Sequence, residues 1–471
     1  MEIAKVKETG PATPKRAMSS EPLTKSFAEA VDAAARSYTD EDREAALLHF
    51  VDGIGTAYAG YRRPEMHKLL HSSVVDVGRD YPSWLIGHAL KSRPSDAALL
   101  NAMAAHLDDF DDDETMISIA HVTVPTLAAT LAAASMVADP SGRLILDSFL
   151  SGVHTMVALG ELLNPAHYHL GWHASATLGV FGAAMASAHV LGLSAAEKAT
   201  ALSFAVTASS GTRSAFGSSA KPWQVAAASR DGLNAALLAA AGLDAHASLF
   251  GSMGLAELYG GDTARREAVF ARISGASPFI DPGVTLKAYP CCTAAHTAME
   301  ACEAIRRHMA GRWTPRDIAS VEVRVGRTIP AILALNEPSS ALEGKFSMPF
   351  CAAVALCLPS VGLQAFQDEV LRDPAVQHVM GCVEMIGVAE QDDPFLCKVK
   401  VALGDGSSFA ETVERTRGSP QRPLTRADLK AKVVSLCHGA DAEGAIRHLF
   451  ALPTAKSWRA FEQQLSIHLK L

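Results

Sequence analysis

The sequence has no stretch fit to cross a lipid bilayer, which requires roughly 20 apolar residues free of costly polar groups. The best candidate, positions 161–197, has no charged residue between its terminal glutamates. It is interrupted by Asn164, Pro165, His167, His169, His173 and His189, and so reads as a buried helix of a soluble protein. Residues 1–20 are rich in Lys, Pro, Thr and Ser and lack the apolar core of a secretory signal, so they read as a loose tail. Positive charge is in short supply: 42 Lys+Arg against 50 Asp+Glu leave a net charge of −8. That balance argues against a nucleic-acid partner, because phosphate binding needs a clustered basic surface. Cysteine is sparse, eight in 471 residues and mostly inside apolar runs, which suggests reduced core thiols and a cytoplasmic setting. Charged residues reach only 20% beside 49% apolar ones, which excludes wholesale disorder. The length exceeds one ordinary core, so two or three structural units are expected.

What is present is organised in blocks. Positions 23–279 are dominated by Ala, Leu, Gly and Ser at helical spacing, as in the run from Thr126 through Ala134 behind Pro125. Helices apolar all round must be buried by other helices, so this portion is expected to be an all-α domain. The character changes near Pro282-Gly283. Ile318 to Val325 alternates like a half-buried strand, and Cys397 to Val401, the turn at Gly404-Asp405-Gly406-Ser407 and Ser408 to Glu414 read as a hairpin. Helical stretches over 293–309 and 349–357 accompany these strands. An α+β unit over about 283–417 follows, and helices resume after Gly418-Ser419-Pro420.

Three clusters could carry chemistry. Asp108-Asp109-Phe110-Asp111-Asp112-Asp113-Glu114 follows His106 and packs six carboxylates into seven residues. It could hold Mg²⁺, since hard cations prefer carboxylate oxygens. The aspartate-rich motif of all-α terpene synthases has this spacing, but their second metal motif is missing here. The plainer reading is a solvated acidic loop with most carboxylates exposed. Gly171-Trp172-His173 opens an Ala-rich run over 174–193, and Lys221-Pro222 follows a Gly- and Ser-rich segment. Lys287-Ala288-Tyr289-Pro290-Cys291-Cys292, with His296, lies at the seam between the two blocks. The Cys/His set suggests zinc, but structural zinc needs four ligands and no partner pair is present, so no metal is expected.

In this order the clusters resemble the MmgE/PrpD family, which includes 2-methylcitrate dehydratases, cis-aconitate decarboxylases and iminodisuccinate epimerases. The stretches that carry the resemblance are His106 to Asp112, Gly171-Trp172-His173 with Phe181-Gly182-Ala183-Ala184, Lys221-Pro222 and Lys287 to Cys292. Lys345 to Phe350 and Arg372 to Val376 extend it, so that it covers about 23–471. The resemblance implies a mainly α fold: a helical domain from both chain ends (21–282 and 418–471), an inserted α+β lid (283–417) and a homodimer. It also implies a cofactor-free site between helical domain and lid. Asp109, His173, Lys221 and Lys287 fall on active-site positions, and Cys292 where members carry either His or Cys. Asp113, Arg213 and Tyr289 are expected to contact substrate. Lys221 and Lys287, helped by Arg213, suit the carboxylates of a small di- or tricarboxylate, while His173 and Asp109 suit proton movement at the carbon beside one. Three departures stand out. Asp113 occupies a Thr/Ser place, His121 is shifted from the family's usual His, and Gln224 replaces a frequent His. The function expected is that of a lyase, with an epimerase or a catalytically degenerate binding protein as alternatives.

Overall fold

The computed structural model describes residues 21–251, 253–309 and 313–471; the tail expected over 1–20 lies outside them. The chain is mainly helical, and no described helix is long and apolar enough to cross a membrane. Its centre is formed by the helices Asp40–Gly60, Pro94–Leu107, Thr123–Ala134, Gly142–Leu163, Gly179–Val190 and Ala220–Ala240. Every residue of Thr123–Ala134 is buried, as is every residue of Gly179–Val190 except His189. This is what an Ala-rich sequence without a polar face requires. Small residues also allow very close approach. A Cβ added at Gly60 would stand 1.8 Å from the Ala104 carbonyl oxygen, so the Asp40–Gly60 helix touches the Pro94–Leu107 helix backbone to backbone.

The C-terminal helices belong to this same core. Leu429, Val433, Ile446, Trp458 and Leu465 are buried in one cluster with Phe50, Leu127, Phe149 and Phe181. Lys432 Nζ lies 2.8 Å from Asp52 Oδ1, the Trp458 N–H donates to Pro140 O and the Leu471 N–H donates to Gly87 O, both at 2.8 Å.

A second core runs from Tyr289 to Val413. After a small antiparallel sheet in the helical portion (β1 Val77–Gly78, β2 Ser83–Trp84 and β3 Lys91–Ser92), the second unit supplies four strands. They are β4 Ile318–Gly326, β5 Val383–Val388, β6 Cys397–Leu403 and β7 Ser408–Val413. Their order is β5-β4-β6-β7; β5 runs parallel to β4 and the other pairs are antiparallel. Cys397, Val399, Val401 and Leu403 alternate inward with outward Lys398 and Lys400. The helices His296–His308 and Met348–Cys357 pack against the sheet. The expected hairpin is present, its turn held by Asp405 Oδ1 accepting from the Ser407 N–H at 2.9 Å. Neither β5 nor the small sheet was legible in the sequence. The run over 174–193, expected to open one helix, breaks at Leu178 into Ala174–Thr177 and Gly179–Val190. All eight cysteines are free thiols.

The two passages between the cores lie side by side. Thr285 bridges Asp113 through N–H···O bonds of 2.8 and 3.1 Å, and the Leu286 N–H donates to Gly418 O at 3.0 Å.

Candidate active site

The acidic segment begins where the Pro94–Leu107 helix ends. It is not a solvated loop: none of its six carboxylates exceeds 8% exposure. Each found a partner that sequence spacing does not reveal. Asp111 Oδ2 accepts from His106 Nδ1 at 2.9 Å, and Asp112 Oδ2 faces His49 Nδ1 at 2.6 Å and the Thr123 hydroxyl at 2.5 Å. Glu114 accepts from the backbone N–H groups of Met116, Ile117 and Ser118. Asp113 accepts from the Thr293 hydroxyl at 2.6 Å, and Asp108 lies 3.4 Å from Arg63 and 3.8 Å from Lys345.

Asp109 is the centre of the arrangement. Its backbone is left-handed (φ 52°), a conformation Asp tolerates better than most residues. Its Oδ1 lies 2.7 Å from Lys221 Nζ, 3.3 Å from Lys287 Nζ and 3.5 Å from His121 Nε2. Burial alone would raise the Asp109 carboxyl, but Lys221 and Lys287 hold it well below the usual carboxylate range. The same contact works in reverse on Lys287. Burial opposes its charge, yet Asp109 and then Asp113 push its pKa above that of an ordinary lysine. Lys221 Nζ also donates to His106 Nε2 at 2.9 Å, which with the Nδ1–Asp111 bond fixes His106 as a neutral imidazole. Burial takes that ring down to about 4. Phe216 and Phe346 cover Lys221, with ring centroids 5.6 and 5.5 Å from Nζ.

His173 precedes the short helix Ala174–Thr177, its N–H bonded to Gly211 O. Its Nδ1 donates to Gln224 Oε1 at 2.8 Å, which leaves a lone pair on Nε2; that atom is buried without a hydrogen-bond partner. Burial, followed by the charge of Lys221, keeps the ring's pKa well below the ordinary value, so the imidazole is neutral.

Asp109, Asp113, His173, Arg213, Lys221, Lys287 and Cys292 all line one cavity of about 750 Å³ between the two cores. Arg213 donates to Tyr168 O at 3.1 Å, lies over the Tyr168 ring and keeps its Nε unpaired. Burial, with Asp109 next, pushes the Cys292 thiol up to about 12, which keeps it protonated rather than a thiolate. Tyr289 is not brought to this wall: it is buried in the second core, its hydroxyl donating to Glu303 at 2.9 Å. Its position beside Lys287 in sequence does not carry over to space because the Tyr-Pro step turns the ring inward. His106 and His121 were not chosen as site residues from sequence. His121 lines the cavity, its Nδ1 3.0 Å from Asp111, and the clue was its proximity to the acidic run.

Donor atoms of His106, Asp109, Asp111 and His121 lie within 4.8 Å of one another and could ligate a cation. In the present arrangement Lys221 and Lys287 already supply positive charge to Asp109, and Lys221 occupies His106 Nε2. The donor set therefore suits two ammonium groups better than a divalent ion placed beside them.

A buried cluster of titratable groups lining a cavity between two cores is a candidate small-molecule site. Family models assign it further: the MmgE/PrpD N-terminal domain matches residues 25–267 and the MmgE/PrpD C-terminal domain residues 289–449. The chain belongs to the MmgE/PrpD family. It is 24% identical to cis-aconitate decarboxylase of Homo sapiens over 430 residues, covering 87% of this chain and 86% of the relative. To cis-aconitate decarboxylase of Aspergillus terreus it is 26% identical over 433 residues, covering 86% and 87%. The Mus musculus enzyme of that name is 24% identical over 401 residues, covering 81% and 80%.

Proposed function

We propose that this protein is a lyase that removes carbon dioxide or water from a small di- or tricarboxylate, using only its own side chains. The observation that carries this reading is the unpartnered His173 Nε2 in the same cavity as the Lys221–Asp109–Lys287 cluster. Lys221 and Lys287 stand on the cavity wall beside Asp109 and offer ammonium groups to a substrate carboxylate, and Arg213 offers a second grip. In a dehydration, His173 Nε2 takes the proton from the carbon beside a carboxylate, and the C–O pair leaves with a proton as water. In a decarboxylation, the C–C pair passes into the conjugated carboxylate as carbon dioxide leaves, and a proton is then delivered to carbon. In both, negative charge grows on a carboxylate that the lysines stabilise. Two kinds of relationship support the lyase reading: family membership and the decarboxylase names of the relatives. Residues 283–417 are proposed as a lid, supported by a cavity wall that includes Thr328, Ile332, Phe346 and Phe395.

The test is direct. Purified protein is incubated with cis-aconitate, 2-methylcitrate, citrate and iminodisuccinate, and proton NMR and carbon dioxide release are followed, with His173→Ala as control. Turnover of one acid that His173→Ala abolishes is expected. If no acid is consumed and none raises the melting temperature, the reading fails.

A further inference from the structure

Three lysines, distant in sequence, donate to three consecutive backbone carbonyls of the acidic loop. Lys345 Nζ bonds Asp108 O at 2.7 Å, Lys287 Nζ bonds Asp109 O at 3.0 Å and Lys432 Nζ bonds Phe110 O at 2.8 Å. All three are buried, at 1%, 0% and 9% exposure. Lys345 comes from the second unit and is tied also to Pro290 O at 3.0 Å. Lys432 comes from the C-terminal helix Arg426–Leu436 and is tied also to Asp52. Each outer lysine is covered by a ring, Phe366 over Lys345 and Phe110 over Lys432.

Lys287 touches the Asp109 carboxylate as well, so it belongs to the site already described. Lys345 and Lys432 do not line the cavity. Burying a lysine is costly, and Lys345 has little carboxylate compensation, with Asp108 no nearer than 3.8 Å. Lys345 holds the peptide plane that enters Asp109, Lys287 the plane that leaves it, and Lys432 the next plane, between Phe110 and Asp111; Asp109 itself has a left-handed backbone. The direction in which that residue points its carboxylate depends on those planes.

We propose that Lys345 and Lys432 are positioning residues that aim the Asp109 carboxylate between Lys221 and Lys287, so the site is assembled only when the second unit and the C-terminal helix are both docked. The catalytic consequence rests on the proposed function; the geometric one does not. A misplacement of about 1 Å in such a cluster costs on the order of 10²-fold in rate.

The experiment uses the full chain with ring-labelled histidine and compares the His106 and His121 resonances in Lys432→Met, Lys345→Met and Asp52→Asn. His106 and His121 both neighbour Asp109 or its partners, so they report the loop directly. Asp52→Asn disturbs the Lys432 ion pair while keeping the Phe110 carbonyl contact. Expected are displaced His106 and His121 signals in both lysine variants and unchanged signals in Asp52→Asn. The turnover arm should show kcat falling about 10²-fold in the lysine variants, with KM nearly unchanged. Unmoved ring signals in folded Lys432→Met and Lys345→Met overturn the proposal. So does failure of both to fold, since the lysines would then be folding determinants. Displaced signals without turnover of any acid keep the positioning role and count against the lyase reading alone.

Discussion

Replacing Lys287 with Met removes an ammonium from a fully buried position while keeping most of its volume. Its Nζ lies 3.3 Å from Asp109 Oδ1, where two unit charges attract by about 5 kcal/mol at an effective dielectric near 20. Part of that gain is offset in the native protein by the desolvation of the lysine, so the net loss is smaller. Breaking a buried pair by removing one partner costs about 3–5 kcal/mol. Lys221 still stands 2.7 Å from the same carboxylate, which places the expected cost near the lower end, about 3 kcal/mol. The assay is denaturant unfolding of the wild type, Lys287→Met, Asp109→Asn and the double variant. The double variant should regain at least about 1 kcal/mol relative to the sum of the singles, because no carboxylate is then left short of a partner. A Lys287→Met protein within about 0.5 kcal/mol of the wild type would refute the reasoning, since that is the range of an ordinary surface substitution.

Acid should unfold the protein in a particular window. His106 and His296 are neutral when folded, with pKa values lowered by burial to about 4 and about 3, so below about pH 6.5 the unfolded chain binds protons that the folded one does not. Stability should therefore fall as pH drops from 6.5 towards 4, by on the order of 3 kcal/mol for His106 alone, and His106→Gln should flatten that slope in a pH series of unfolding curves. Gln224→Leu should lower kcat by about 10-fold or more at little cost in KM, because the His173 tautomer is no longer fixed; steady-state kinetics on the true substrate decides. Excess chelator should leave turnover unchanged, and loss of activity restored by Mg²⁺ would reverse the assignment of Lys221 and Lys287 as the cations of Asp109.

The parts of this protein legible in its sequence are those fixed by neighbours a few residues apart. The hairpin of β6 and β7 announces itself through alternation and its Asp-Gly turn, and the apolar run over 349–357 marks the helix Met348–Cys357. Strand β5 escapes because it is a half-exposed edge paired in parallel with residues some sixty positions earlier, a contact that leaves no local pattern. The acidic run was misread for a similar reason. Its length suggested repulsion relieved by water, whereas the relief comes from His49, Thr293, Lys221 and Lys287, brought in from elsewhere. The four residues singled out by resemblance, Asp109, His173, Lys221 and Lys287, line one cavity, and the resemblance cast Lys287 as a clamp waiting for substrate. The structure has that ammonium already engaged with Asp109.

The distance along the chain between Phe110 and Lys432 is 322 residues. Synthesis runs from the amino end, so the helical body and the acidic loop emerge long before the lysine that grips Phe110 O. During that interval the Phe110 carbonyl and the Asp52 carboxylate lack the ammonium that joins them in the finished core. A growing or interrupted chain is therefore a scaffold whose acidic loop lacks this clasp until the helix Arg426–Leu436 has been made.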